Sequence, residues 1–461
     1  MSRCMDKRDD GKNGGGAVAR DFSALWHPFT QMREWFGKSP LVIERALGNE
    51  LIDDHGRRYL DGVSSLWCNV HGHRHPRIDA AVREQLGRVA HSTLLGLTHP
   101  GAAELATRLV GLAPDGLTRV FYSDAGATAV EIALKQAFQY FALRGAAERT
   151  RFVSLAEAYH GDTIGAMSVG YSEAFHRHYR PLLFDTLRTT PPHVFRWERG
   201  LDAKAALQVA IDEAQRVFDT SGGRVAALIV EPLVQGAAGI WPHPPEYLAA
   251  IVRMAKDAGA LVICDEVATG FGRTETMFAC AQAGVSPDLM CLGKGLTGGY
   301  LPLAATLATE EIFEAFLAPY EDLATFFHGH TFTGNPLGCA AGLASLDVFE
   351  EEGTLEHVAG IIPRLHDCLD AEVAPLEHVG DVRRHGLMVG IELVDDPGTR
   401  AHYPPGARVG YRACLAARKH GVIIRPLGDT IVLMPPLSIR EDEVDRLVDA
   451  TVRGIREVTE A

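Results

Sequence analysis

The sequence predicts an α/β fold: a large domain with a mostly parallel central sheet, plus a smaller α+β domain built from N- and C-terminal segments. Three observations predict it. Short apolar runs (Arg119–Ser123, Arg151–Leu155, Ala226–Val230, Leu261–Cys264, Leu289–Leu292) alternate with stretches of helical period (Ile78–Val89, Ala102–Gly111, Ala129–Leu143). That is the pattern of parallel strands joined by crossover helices. Ahead of it, Leu41–Tyr59 alternates and carries the turn Asp53-Asp54-His55-Gly56, which reads as a small β-meander. Behind it, from about residue 355, the chain reads helix, Met388–Leu393, helix, Val422–Arg425, Ile431–Met434, helix.

Taken in order, residues 1–20 are polar and glycine-rich and are expected to be a disordered tail. Residues 21–75 are expected to belong to the small domain, 76–345 to the large domain and 346–461 to the C-terminal α+β domain. The turn Gly334–Pro336 precedes a long apolar helix, roughly Leu337–Glu350, that leads out of the large domain. The 461 residues are 46% hydrophobic and 23% charged, as in ordinary globular proteins. A net charge of −14 speaks against nonspecific binding to nucleic acid or to an anionic membrane surface. None of the eight cysteines forms a C-x-x-C pair, so they read as small apolar residues of a reducing compartment. No apolar run reaches the roughly 20 residues that span a bilayer, and the N-terminus lacks a secretory apolar region. A cytoplasmic protein is expected.

The chemistry concentrates in Leu261–Arg273 (LVICDEVATGFGR) and Leu292-Gly293-Lys294-Gly295. The first reads as a buried strand ending in an acid, followed by a glycine-hinged loop; the second sets a lysine between glycines. Open α/β sheets place ligands at the carboxyl ends of their strands. Asp265 there can pair with a pyridine nitrogen and keep it protonated, while Lys294, 29 residues on, can bond to an aldehyde and move a proton. That layout suits pyridoxal 5′-phosphate. Ser123–Thr128 (SDAGAT) joins a strand to a helix with small residues, so it reads either as a phosphate cradle of free backbone amides or as an ordinary strand–helix turn capped by Ser or Asp. No G-x-x-x-x-G-K-[S/T] occurs, which excludes a P-loop. Tyr159, at the end of another strand, can stack on a flat ring or simply pack; Glu231, before Pro232, can stand beside that ring or behind it. The histidines of His71-Gly72-His73-Arg74-His75 have spacing unsuited to a metal, and none is expected. His328-Gly329-His330-Thr331 reads as a glycine-hinged loop shaping a pocket. Arg425, at a strand end before Pro426, suits a substrate carboxylate or else a surface salt bridge.

Together these residues resemble the class III aminotransferases of the pyridoxal-phosphate fold type I, from about residue 25 to the C-terminus. The opening Leu25–Met32 (LWHPFTQM), with HSTLLGLTH at 91–99, AYHGDT at 158–163, DEVATGFGRT at 265–274 and LGKGLTGGYLPLAAT at 292–306, is similar to the branch acting on 8-amino-7-oxononanoate in biotin synthesis. The resemblance implies a homodimer with a shared active site. Lys294 and Asp265 would be catalytic, and Gly126, Ala127, Tyr159, His330 and Thr331 would bind the cofactor, the last two reaching the partner subunit's phosphate. Leu66, Trp67, Tyr159, Gly329 and Arg425 would line the substrate site. Phe29 would stand within the catalytic pocket where many members carry a tyrosine, Leu66 where they carry tryptophan and His330 where they carry proline. These departures leave the amino donor open between S-adenosylmethionine and lysine and lean toward lysine. The alternative implied activity is transfer from or to a diamine, ornithine or a β-amino acid.

Overall fold

The computed structural model describes residues 14–195 and 200–460. The central sheet has seven strands in the order Leu117–Ser123, Ala304–Thr309, Leu289–Leu292, Leu261–Asp265, Val225–Val230, Arg151–Leu155 and Leu187–Thr189. Only Ala304–Thr309 runs antiparallel to its neighbours. The middle strands are buried along their whole length, as VAALIV and LMCL require: a parallel strand covered by helices on both faces has no polar side to show. Gly126–Leu143 and Pro245–Asp257 pack among the helices that cover it. This arrangement delivers Ser123, Leu155, Val230, Asp265 and Leu292 to one edge of the sheet, so the loops that follow them converge.

The N- and C-terminal segments meet through hydrogen bonds. Ile43–Leu47, Glu50–Asp53 and Arg58–Asp61 form the expected meander, and Val422–Ile423 joins Arg58–Asp61 in parallel, with the Leu60 amide donating to the Gly421 carbonyl at 2.9 Å. A second sheet holds Val379–His385, Met388–Leu393, Thr430–Leu433 and Arg425–Leu427; helix Val409–Lys419 packs on it, and the amphipathic helix Glu441–Thr459 packs on that helix in turn.

Two sequence expectations need correcting. Of the tail expected to be disordered, residues 1–13 lie outside the described residues, but residues 14–20 are helical, within Gly14–Ala24. The next residues give that helix an anchor: Asp21 accepts from the Trp35 indole at 2.8 Å and pairs with His27 Nε2 at 2.8 Å. Val422–Arg425 is not one strand. It breaks at Ile424, so Val422–Ile423 serves one sheet and Arg425–Leu427 the other. The break hands Arg425 to the second sheet and leaves it exposed.

Candidate active site

Asp265 ends its strand with a buried carboxylate. Oδ1 accepts the Val267 amide at 3.1 Å, and Oδ2 lies 2.7 Å from His160 Nδ1. His160 is buried, and its Nε2 has no hydrogen-bond partner. The imidazole therefore fixes one carboxylate oxygen from behind. Sequence reading passed over His160, although it stands beside Tyr159 in the segment already singled out; only the approach of two strand ends brings it to an acid 105 residues away.

Lys294 follows Gly293 with φ of 40°, in the left-handed region that a lysine enters only under constraint. Its side chain is half-buried, and Nζ stands 5.3 Å from the centroid of the Trp67 ring. Desolvation holds its amine below the ordinary lysine value, while Asp265 and Glu231 pull the other way. Ser64, Ser65 and Trp67 also have positive φ, so the turn that presents Trp67 is itself constrained. Leu66 is 48% exposed.

The cradle lies at the start of helix Gly126–Leu143. Ala125 provides no side-chain cap; the Thr128 hydroxyl bonds back to Ala125 instead, at 2.7 and 3.0 Å. The first amides of the helix, those of Gly126 and Ala127, are thus open to an anion, with the helix dipole behind them. A Cβ built on Gly126 would stand 2.5 Å from Val267 Cγ1, and one on Gly293 would meet the same methyl at 3.3 Å. Val267, two residues after Asp265, therefore fills the space between cradle, acid and lysine. Gly126→Ala is expected to weaken cofactor binding about tenfold or more, the usual penalty for overpacking so close a contact. Titration of the apoenzyme measures it, and an unchanged dissociation constant would refute the cradle.

Glu231 stands behind this centre. Its carboxylate accepts the Tyr159 amide at 3.1 Å and the Gly236 amide at 2.8 Å. The Trp67 ring passes 3.3 Å from where a Gly236 Cβ would be. Burial pushes the Glu231 carboxyl up from 4.5 to about 7, the charge of His160 opposing and that of Asp265 adding to the rise. A raised acid keeps its proton in the folded chain after the unfolded chain has released it. The associated stability is therefore complete below pH 4.5 and is lost as the pH climbs toward 7, by up to about 3 kcal/mol. Glu231→Gln should flatten the fall in melting temperature between pH 5 and 8; parallel curves for the two proteins would show that Glu231 is not its source.

Tyr159 is partly buried, with its hydroxyl donating to Asp162 at 2.8 Å and its ring stacked on His176 at 6.1 Å. It meets Phe175 edge-on at 6.4 Å, and Phe175 meets Phe29 at 6.3 Å. This aromatic file leads outward to a cavity of about 1370 Å³ that Phe29 and Arg425 both line. Lys294, Asp265 and Trp67 do not line it, so two groups of the sequence-selected residues are separated: the reactive centre within, Phe29 and Arg425 outside. No hydrogen bond or ion pair among the described residues engages the Arg425 guanidinium.

The loop His328–Thr331 stays near its own cradle: His330 Nδ1 is 3.9 Å from Asp124 Oδ2 and 3.4 Å separates the Nε2 atoms of His328 and His330. Gly329 and Thr331 are exposed. His71, His73 and His75 turn to three different partners, Ser345, Asp61 and Glu352.

Open amides at a helix start, a carboxylate steadied by a buried imidazole and a desolvated lysine beside an indole fit a phosphorylated, protonated pyridine aldehyde. The aminotransferase class-III family matches residues 32–455. The chain is 57% identical over 436 residues to the adenosylmethionine-8-amino-7-oxononanoate aminotransferase of Nitratidesulfovibrio vulgaris, covering 94% of this chain and 80% of that protein. It is 50% identical to the protein of that name from Geobacter sulfurreducens, over 94% and 96% of the two chains. Among solved structures, the protein of that name from Methanocaldococcus jannaschii gives a TM-score of 0.91 at 44% identity, covering 97% of this chain and 100% of that one. An amine transaminase from an uncultivated Pseudomonas species, in its pyridoxal-phosphate-bound form, gives 0.90 at 37% identity, over 94% and 98%.

Proposed function

The chain belongs to the class III aminotransferases, and on that premise we infer that it transfers an amino group to 8-amino-7-oxononanoate, yielding 7,8-diaminononanoate for biotin biosynthesis. Pyridoxal 5′-phosphate, when bound, supplies the electron sink and carries the amino group between donor and acceptor. Lys294 would hold the cofactor's aldehyde through its amine and would carry the transferred proton on Nζ. Asp265, held by His160, would keep the ring nitrogen protonated. The amides of Gly126 and Ala127 would hold the phosphate, and Tyr159 and Val267 would confine the ring.

The observation that carries the acceptor is the 57% identity, over 94% of the chain, to a relative named for it. The exposed Arg425 guanidinium in the outer cavity supplies a partner for the carboxylate at the far end of the oxononanoate. Loss of such a charge-assisted pair costs about 1.5–3 kcal/mol. Arg425→Ala should therefore raise the KM for the acceptor about tenfold to a hundredfold and leave the half-reaction with the donor intact. Equal losses in both half-reactions would remove Arg425 from the acceptor site, and no turnover of 8-amino-7-oxononanoate by the wild type would end the reading.

The donor in the relatives' name is S-adenosylmethionine. Lysine is a second reading, favoured by Phe29 and Leu66: both are exposed and neither offers the phenol or indole that suits a bulky adenosyl sulfonium. Each amine is mixed alone with the holoenzyme and its visible absorbance followed; the amine that bleaches it is the donor.

A homodimer completes this reading. Leu95, Leu97, Phe327 and Phe332 are 89%, 61%, 69% and 54% exposed in the single chain, and Thr331 lies among them in sequence. A second copy covering these residues would bring His330 and Thr331 to the partner's phosphate. The seven described cysteines are free thiols, in keeping with a cytoplasmic enzyme.

A further inference from the structure

The signature Leu25–Met32 stands apart from Lys294 and Asp265, on the wall of the outer cavity. Phe29, Thr30 and Gln31 line that wall, with Glu34, Trp35 and Lys38 after them. No residue from 16 to 48 is buried in the single chain, so burial in a core does not shape this segment. One carboxylate does. Asp21, in helix Gly14–Ala24, accepts the Trp35 indole N–H on Oδ1 and holds His27 Nε2 on Oδ2, both at 2.8 Å. The His27 ring then lies against Trp35 with centroids 4.4 Å apart, and Phe22 meets Phe36 edge-on at 5.7 Å. The helix and the stretch Met32–Trp35 are thus knotted around the loop between them. Phe29 stands in that loop with φ of 49°, which a phenylalanine adopts only under constraint. Glu34 with Arg408, and Lys38 with the Tyr411 hydroxyl at 2.6 Å, dock the far end of the segment on helix Val409–Lys419.

We propose that Asp21 is a positioning residue for the acceptor: by knotting His27 to Trp35 it aims Phe29 across the outer cavity, where the ring covers the aliphatic chain of 8-amino-7-oxononanoate. The inference rests on the amine-transfer reading above. A run of methylene groups separates the acceptor's ketone from its carboxylate. The ketone must reach Lys294, and the carboxylate meets Arg425, which lines the same cavity as Phe29. The methylenes between them cross that space and gain from an apolar wall. Phe29 meets the body of the protein edge-on at Phe175. Without the knot, nothing in the loop's own sequence holds its left-handed backbone, and the ring is free to turn away from the cavity.

The test compares the wild-type holoenzyme with Asp21→Ala, Asp21→Asn, Phe29→Ala and the double variant Asp21→Ala/Phe29→Ala. Alanine is the best helix former and no core contact is lost, so Asp21→Ala should melt with the wild type. Its KM for 8-amino-7-oxononanoate should rise about fourfold to fifteenfold with kcat unchanged, as when one or two methylene groups lose their cover. Asparagine keeps an acceptor for the indole and a partner for His27, so Asp21→Asn should restore the wild-type KM. Phe29→Ala should show the same rise as Asp21→Ala, and the double variant no more than either, because both remove one interaction. Affinity of the apoenzyme for pyridoxal 5′-phosphate should stay unchanged throughout, since Lys294 and Asp265 do not line this cavity. An unchanged KM in Asp21→Ala or in Phe29→Ala, an additive rise in the double variant, or weakened cofactor affinity overturns the proposal and leaves the transaminase reading in place. So does a lower melting temperature with kcat falling beside KM, which would make the knot a structural brace. A wild type that does not turn over 8-amino-7-oxononanoate overturns both.

Discussion

Lys294→Ala is expected to lower turnover on the order of 10⁴-fold or more, because the variant loses both the amine that bonds to the cofactor and the base that moves the proton. The setting of Lys294 explains why no neighbour replaces it. Its backbone is fixed in the left-handed region immediately after a buried strand, and its Nζ is aimed past the Trp67 ring. Desolvation keeps a larger share of the amine neutral than an exposed lysine would have, and only neutral amine is a nucleophile. Lys294→Arg should fail equally: a guanidinium stays charged and has no nucleophilic amine to offer. Borohydride reduction followed by mass measurement reads the covalent bond directly. Wild type should gain the cofactor's mass and neither variant should. Turnover within about tenfold of wild type in Lys294→Ala would show that another group carries the proton.

The gathering of Asp265 and Lys294 at one candidate site was legible because their strands are. LVICD and LMCL are apolar on both faces and end at glycine-hinged loops, so the residues after them fall at one sheet edge whatever the details of packing. Ala304–Thr309 was not legible as a strand: AATLAT is made of small residues, and its antiparallel course depends on its two neighbours. Helix Gly14–Ala24 was hidden by the glycines at its start, although its anchor Asp21 is linked to Trp35 and His27 only in the folded chain. Arg425 was found by its flanking residues, but the strand assigned to it was wrong, since one apolar run can be divided between two sheets by a single residue. His160 and Val267 were missed for a shared reason. Each acts through contact with a residue from another strand end, and single-chain spacing carries no trace of such contacts.

Asp265→Asn should lower kcat/KM by about 10²–10⁴-fold, the span usual for removing a group that governs protonation at the reacting centre. The amide keeps the size of the carboxylate and can still accept the Val267 amide, so the strand end should hold its shape. What it loses is the negative charge facing the ring nitrogen, and with that the protonated ring. His160 makes the substitution more informative. Its Nδ1 points at Asp265 Oδ2 from 2.7 Å and its other nitrogen has no partner, so the imidazole has one task in the fold. In the Asp265→Asn variant the single amide oxygen stays on the Val267 amide, so the NH₂ takes the place of Oδ2 beside His160 Nδ1, and no negative charge is left to keep the ring nitrogen protonated. His160→Asn, by contrast, leaves the charge and frees its aim, so its loss should be smaller, about tenfold, and should appear with weakened cofactor retention. Measuring kcat/KM for both half-reactions, together with the apoenzyme's affinity for cofactor, separates the two effects. If Asp265→Asn kept wild-type kcat/KM, the charge on this strand end would have no part in the chemistry. If His160→Asn were the more damaging of the two, the imidazole would be doing more than holding the acid in place.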